Sequence, residues 1–110
     1  MDERLKLHQE YVDIMNRCIA DGKDHSKQVY YQPKEGERLT YPCILYSRIP
    51  PWALFANDKK YVRRPKYLVT VIDYDQDSEI ARAVEDMTYT VFDRIGIADR
   101  LYHFYYQKTN

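Results

Sequence analysis

One stretch, Pro65 to Asp86 with the sequence PKYLVTVIDYDQDSEIARAVED, does most to limit the folds open to this chain. From Lys66 to Asp73 it alternates Tyr67, Val69 and Val71 with Leu68, Thr70 and Ile72, so neither side of an extended chain is purely polar. Such a run packs on both faces and reads as a central strand. Beyond it, Ile80, Val84, Met87 and Val91 fall at helical spacing, and Asp77 or Ser78 stands before them as an N-cap. The spacing predicts a helix that leaves the strand through an acidic turn and runs to about Asp93, with Gly96 as its stop. A two-sided strand of this kind needs other strands beside it and helices against it.

The first helix is written into Asp2 to Ala20. Leu5, Leu7, Tyr11, Val12, Ile14, Met15, Cys18 and Ile19 fall on about half the circumference, and Lys6, Gln9, Glu10, Asp13, Asn16 and Arg17 fill the other half. An apolar arc that wide requires a sheet to lie on. Asp21-Gly22 ends the helix, Gly22 being suited to a left-handed cap. Residues Lys23 to Thr40 are polar, hold Pro33 and Gly36, and read as a mobile segment in which only Gln28 to Tyr31 offers a short strand. Tyr41 to Ile49 resumes the β pattern until Pro50-Pro51, and Lys59 to Arg64 forms a strand that turns into the next at Arg64-Pro65. Leu101 to Gln107 is a final aromatic strand. Helix, two or three strands, helix, strand is the order of an α+β fold, one sheet covered by two helices.

The 110 residues suit a single domain with one modest core. Seventeen basic residues balance seventeen acidic ones, so no global charge points to nucleic acid or to an anionic membrane. The charges are unevenly placed, however. Residues 1–33 carry five basic and six acidic residues, 34–66 eight and three, and 67–110 four and eight. A basic middle and an acidic end suit copies that meet head to tail, and they equally suit solvated faces of one chain. The start MDERLKLHQEY lacks an apolar export core, which predicts a soluble, non-exported protein with no membrane contact. Cys18 and Cys43, far apart among apolar neighbours, read as reduced buried thiols. Twelve tyrosines supply amphipathic contact area for a core or an interface.

No constellation of reactive groups stands out. Asp73, Asp75 and Asp77 match the first ligand positions of a calcium loop, but Ser78 occupies the place of its glycine and Val84 that of its bidentate glutamate. Helix capping explains these acids more simply, and the expectation is no metal, no cofactor and no catalytic residue. His8, His25 and His103 share no ligand spacing, and neither a phosphate-binding glycine loop nor a nucleophile motif is present. Lys59, Lys60, Arg63, Arg64 and Lys66, interleaved with Tyr61 and Tyr67, are the best nucleic-acid candidate, although alternation along a strand would split them between two faces. Trp52, Leu54 and Phe55 stand between Pro50-Pro51 and Asn57-Asp58 in a connection rich in turn formers. Either they fold back on the core or they are a docking patch for a partner.

Several segments in combination are similar to one family. They are Tyr41-Pro42-Cys43-Ile44-Leu45-Tyr46, Ala56-Asn57-Asp58-Lys59-Lys60-Tyr61, Tyr67 to Asp73 with Asp77-Ser78-Glu79-Ile80, and Phe92-Asp93-Arg94 with Ala98-Asp99 and Leu101-Tyr102-His103. Across roughly residues 41 to 106 the chain resembles the small tail-terminator or tail-completion proteins of long-tailed bacteriophages. The resemblance implies an α-β-β-β-α-β fold with a mainly antiparallel sheet, and six copies closed into a homohexameric ring. Such a ring caps the tail tube protein, ends tail polymerisation, meets the head-completion or neck protein, and lets DNA pass without specific binding. The protein would then belong to the virion, at the head-tail junction, after assembly in the host cytoplasm. On this reading Trp52, Leu54, Phe55, Asn57 and Asp58 dock the tube or neck. Lys59, Lys60, Arg63, Arg64 and Lys66 pair across subunits with Asp75, Asp77 and Glu79. A head-completion protein of the same machinery and a small nucleic-acid-binding module are the alternatives.

Overall fold

The computed structural model describes residues 3–50 and 66–109 and has the α+β architecture that the sequence predicts. Helix α1 (Glu3–Ile19) is followed by a 3₁₀ turn (Ser26–Gln28), strands β1 (Val29–Tyr31), β2 (Cys43–Arg48) and β3 (Lys66–Asp73), helix α2 (Glu79–Glu85), and strands β4 (Thr90–Ala98) and β5 (Leu101–Thr109). The strands lie in the order β1-β2-β3-β5-β4, with β3 in the middle as its two-sided pattern requires. Among the described strands only β1 and β2 run parallel; β3 is antiparallel to β2 from Cys43↔Ile72 to Arg48↔Tyr67 and to β5 from Lys66↔Thr109 to Asp73↔Tyr102.

Both helices cover one face of the sheet. From α1 come Leu7, Tyr11, Val12, Ile14 and Met15, and from α2 come Ile80, Ala81 and Val84. They bury Ile44 and Tyr46 of β2, Tyr67, Val69 and Val71 of β3, and Phe104 and Tyr106 of β5. Each large aliphatic side chain so removed from water contributes about 1.5–3 kcal/mol. Leu5 stays 54% exposed because it sits at the margin of the apolar arc, more than a quarter-turn round the helix from Leu7, Tyr11 and Ile14. The other face carries a smaller core, Cys43, Ile72 and Leu101 under Tyr30, Leu39, Tyr41 and Leu45, so the segment after β1 closes part of the second side. Val29–Tyr31, the one strand expected within Lys23 to Thr40, is the edge of the sheet beside β2.

The helix ends differ from expectation in instructive ways. Ala20, at φ 45°, takes the left-handed position directly after α1, and its N–H reaches Asn16 O at 3.1 Å; Gly22, at φ 77°, is left-handed two residues later. Helix α2 stops at Glu85 instead of continuing to Asp93. Tyr89, at φ 58°, reverses the chain, and Thr90 to Ala98 becomes β4, so one more strand follows α2 than the sequence reading places there. Val91 keeps the helical phase of Ile80, Val84 and Met87 by coincidence. The β-branched and aromatic residues Thr90, Val91, Phe92, Ile95 and Ile97 favour a strand, and β5 offers its outer edge to pair with. Asp99 and Arg100, at φ 53° and 65°, form the two-residue turn between β4 and β5, a left-handed pair matched to hairpin twist. Gly96 lies inside β4 and ends nothing, and β5 runs on to Thr109. The strand expected over Lys59 to Arg64 lies outside the described residues.

Candidate functional site

The acidic turn after β3 is built by its own carboxylates. Asp73 Oδ1 accepts the N–H groups of Tyr74 at 2.7 Å and Asp75 at 3.4 Å, and Asp73 Oδ2 accepts the Ser78 hydroxyl at 2.6 Å. Asp75 Oδ1 accepts the N–H of Asp77 at 2.9 Å. Ser78, buried, in turn accepts the N–H of Ala81 at 3.1 Å and so caps α2. Ser78 rather than Asp77 is the N-cap, which leaves Asp77 and Glu79 exposed where carboxylates are favoured by the helix N-terminus. Among the described residues no group of three or more His, Cys, Asp or Glu is placed to hold a metal.

Of the predicted interface residues, Trp52, Leu54, Phe55, Asn57, Asp58, Lys59, Lys60, Arg63 and Arg64 lie outside the described residues. Lys66 opens β3, half-buried opposite Thr109, while Asp75, Asp77 and Glu79 gather beyond the other end of the same strand. Eight residues of strand separate the two sets, a distance of about 23 Å. Within one chain Lys66 therefore cannot pair with the acidic turn.

The histidines hold local structure. His25 Nδ1 meets Gln28 Oε1 at 2.6 Å and Nε2 meets Asp21 Oδ1 at 2.7 Å, while Asn16 Oδ1 accepts the His25 N–H at 2.8 Å, tying the segment after α1 back to the helix. The hydrogen bonds to Gln28 and Asp21 hold the His25 pKa above its ordinary value. His8 Nδ1 lies 2.6 Å from the Tyr46 hydroxyl, and burial together with Arg4 pushes the His8 pKa down. His103 Nδ1 lies 3.2 Å from the carbonyl of Leu101, and its ring stacks on Tyr105 with centroids 6.3 Å apart. Cys18 and Cys43 are free thiols, and burial pushes the Cys43 thiol up to about 12, far from a reactive thiolate.

The surface that sequence reasoning misses is β4. Among the described residues five large exposed apolar or aromatic side chains come from this strand and its lead-in: Tyr89 66%, Val91 66%, Phe92 45%, Ile95 48% and Ile97 70%. A bulge between Phe92 and Arg94 inserts Asp93 as an unpaired residue. It puts Phe92, opposite Tyr106, and Ile95, opposite Phe104, on the helix side of the sheet, where the Phe92 and Tyr106 rings meet edge to face at 5.7 Å. Arg94 points to the opposite face, its guanidinium 4.4 Å above the Tyr105 ring and 3.2 Å from the Asp93 carboxylate. That face holds a shallow groove of about 350 Å³ between Leu45, Leu68, Thr70, Arg94 and Tyr105. The signal lay in the β-branched run TVFDRIGIA, which the helical phase of Val91 conceals. The chain matches no family model, no curated protein and no solved structure.

Proposed function

We propose that the chain is a non-catalytic virion structural protein, a tail terminator of a long-tailed bacteriophage. Six copies form a ring that caps the tail tube, ends tail polymerisation and offers the head-joining surface. The observation that carries the reading is the charge placement along β3. The cation of Lys66, at the end of the basic stretch 34–66, and the acids Asp75, Asp77 and Glu79 sit at opposite ends of one strand, too far apart to neutralise each other in one chain. A basic stretch over 34–66 and an acidic one over 67–110 on one subunit favour head-to-tail contacts between copies, and a head-to-tail contact that closes makes a ring. The α+β sheet with two helices on one face, and the element order up to α2, support the resemblance across residues 41–106. Trp52, Leu54 and Phe55, between β2 and β3 in sequence, dock the tube or the neck on this reading.

Two experiments test it. Native mass spectrometry of the assembled protein is expected to give six copies, and Trp52→Ala with Phe55→Ala should leave a folded protein while producing tails of uncontrolled length or heads left unjoined. Normal particles from the double variant would remove the docking role of this patch. Particles lacking the protein separate the terminator from a neck role: over-long tails support the terminator, and filled heads beside tails of normal length support the neck protein.

A further inference from the structure

Among the described residues, strand β4 has a free backbone edge and an apolar side that nothing covers. It is a terminal strand of the sheet, nine residues long, and among the described residues no element lies against its outer edge. Long apolar edges pair with other chains unless something blocks them. The usual blocks, a proline, an edge lysine or a very short strand, are absent from Thr90 to Ala98. The bulge at Asp93 bends the strand, yet it also gives β4 a self-complementary pattern.

We propose that the free protein pairs with a second copy of itself through β4, the two edges running antiparallel about a two-fold axis between Asp93 and Arg94. In this register Asp93 stands opposite Arg94 of the second copy and Phe92 opposite Ile95 of the second copy, and by symmetry each contact occurs twice. Thr90 then faces Ile97 of the second copy. The bulge is what makes the pattern consistent. It places Phe92 and Ile95 on the same side of the sheet although they are three residues apart, so cross-strand partners share a face. A shift of one residue in either direction brings Asp93 against Asp93 or Arg94 against Arg94 and moves Phe92 opposite Arg94 or Gly96. Such slips expose the apolar side chains and set like charges together. Charge and apolar pattern thus select one register, and each five-stranded sheet continues into its copy.

The inference goes beyond the ring reading and does not depend on it. A two-fold contact closes at two copies, and a ring needs a separate head-to-tail surface such as the charged ends of β3.

Sedimentation of the full chain over a wide concentration range tests the pairing. A monomer–dimer equilibrium is expected, with Ile97→Lys, at a side chain already 70% exposed, raising the dimer Kd at least tenfold while the circular dichroism stays that of the wild type. Asp93→Arg alone and Arg94→Asp alone should each weaken the dimer, and the double variant D93R/R94D should restore it, because the swap rebuilds the opposed pair. A chain that stays monomeric at every concentration overturns the proposal, as does a dimer indifferent to all these variants. Six copies of the assembled protein, together with a dimer Kd of the free protein that Ile97→Lys leaves unchanged, overturn it while keeping the ring reading. A β4-dependent dimer whose assembled form never reaches six supports it and removes the ring.

Discussion

Strands β3 and β4 have nearly the same length and are both rich in β-branched and aromatic residues, yet they meet opposite fates. In β3, Tyr67, Val69, Val71 and Ile72 are buried, whereas in β4 no large side chain is. The difference is position. β3 has a strand on each side, helices α1 and α2 over one face and the Cys43–Leu101 cluster over one end of the other. β4 has β5 on one side and α2 over only a part of its inner face. Among the described residues, one strand holds this subunit together and the other keeps its apolar side chains exposed.

The contrast is most easily broken by matched substitutions. Ile72→Ala, at a side chain 4% exposed, is expected to cost about 2–5 kcal/mol in urea unfolding, the usual range for truncating a core isoleucine. Ser78→Ala removes the α2 cap and the hydroxyl that Asp73 accepts, and should cost about 1 kcal/mol by the same measurement. Arg100→Gly sharpens the picture of β4 in the other direction. At φ 65° glycine is freer of steric cost than arginine, so the hairpin and the whole chain should gain about 0.5–1 kcal/mol in urea unfolding. A loss there would mean that the Asp99-Arg100 turn does not persist in solution.

A smaller effect is expected from pH. The folded His25 pKa lies above its ordinary value of 6.5 because Gln28 and Asp21 both accept from the ring. The charged form binds more tightly in the folded state, so its stabilisation is complete below the unfolded pKa and is lost as pH rises through the folded pKa. The thermal midpoint should therefore carry a downward component on going from mildly acidic to mildly basic pH, which His25→Gln abolishes. An unchanged pH profile in that variant would show that the imidazole does not anchor the segment after α1. The smallest change is expected at Ile97→Ala, within about 0.5 kcal/mol when measured at concentrations where the chain is monomeric. Equal losses at Ile72 and Ile97 would erase the contrast between the two strands.

Much of the fold is legible in local sequence because local pattern is what built it. The wide apolar arc of α1, the two-sided run of β3 and the Ser78 cap each depend on neighbours within a turn or a strand of themselves. β4 was not legible for the opposite reason. Val91 satisfies a helical phase that begins at Ile80, and only the unpaired outer edge of β5 decides that Thr90 to Ala98 pairs instead. Asp99-Arg100 carries no glycine to announce its left-handed turn. The acidic turn was legible as a cap but not in its detail, since the Ser78 hydroxyl accepts from Ala81 and donates to Asp73 across the end of β3.

By itself, then, the sequence determined that this chain forms a sheet covered by two helices, with β3 at its centre, because hydrophobic periodicity is a local property and burial rewards it wherever the sheet lies. Tertiary structure alone decided which strand became the edge and how far α2 runs. Those outcomes depend on which backbone edges are already paired, and that is not encoded within reach of a single turn or strand.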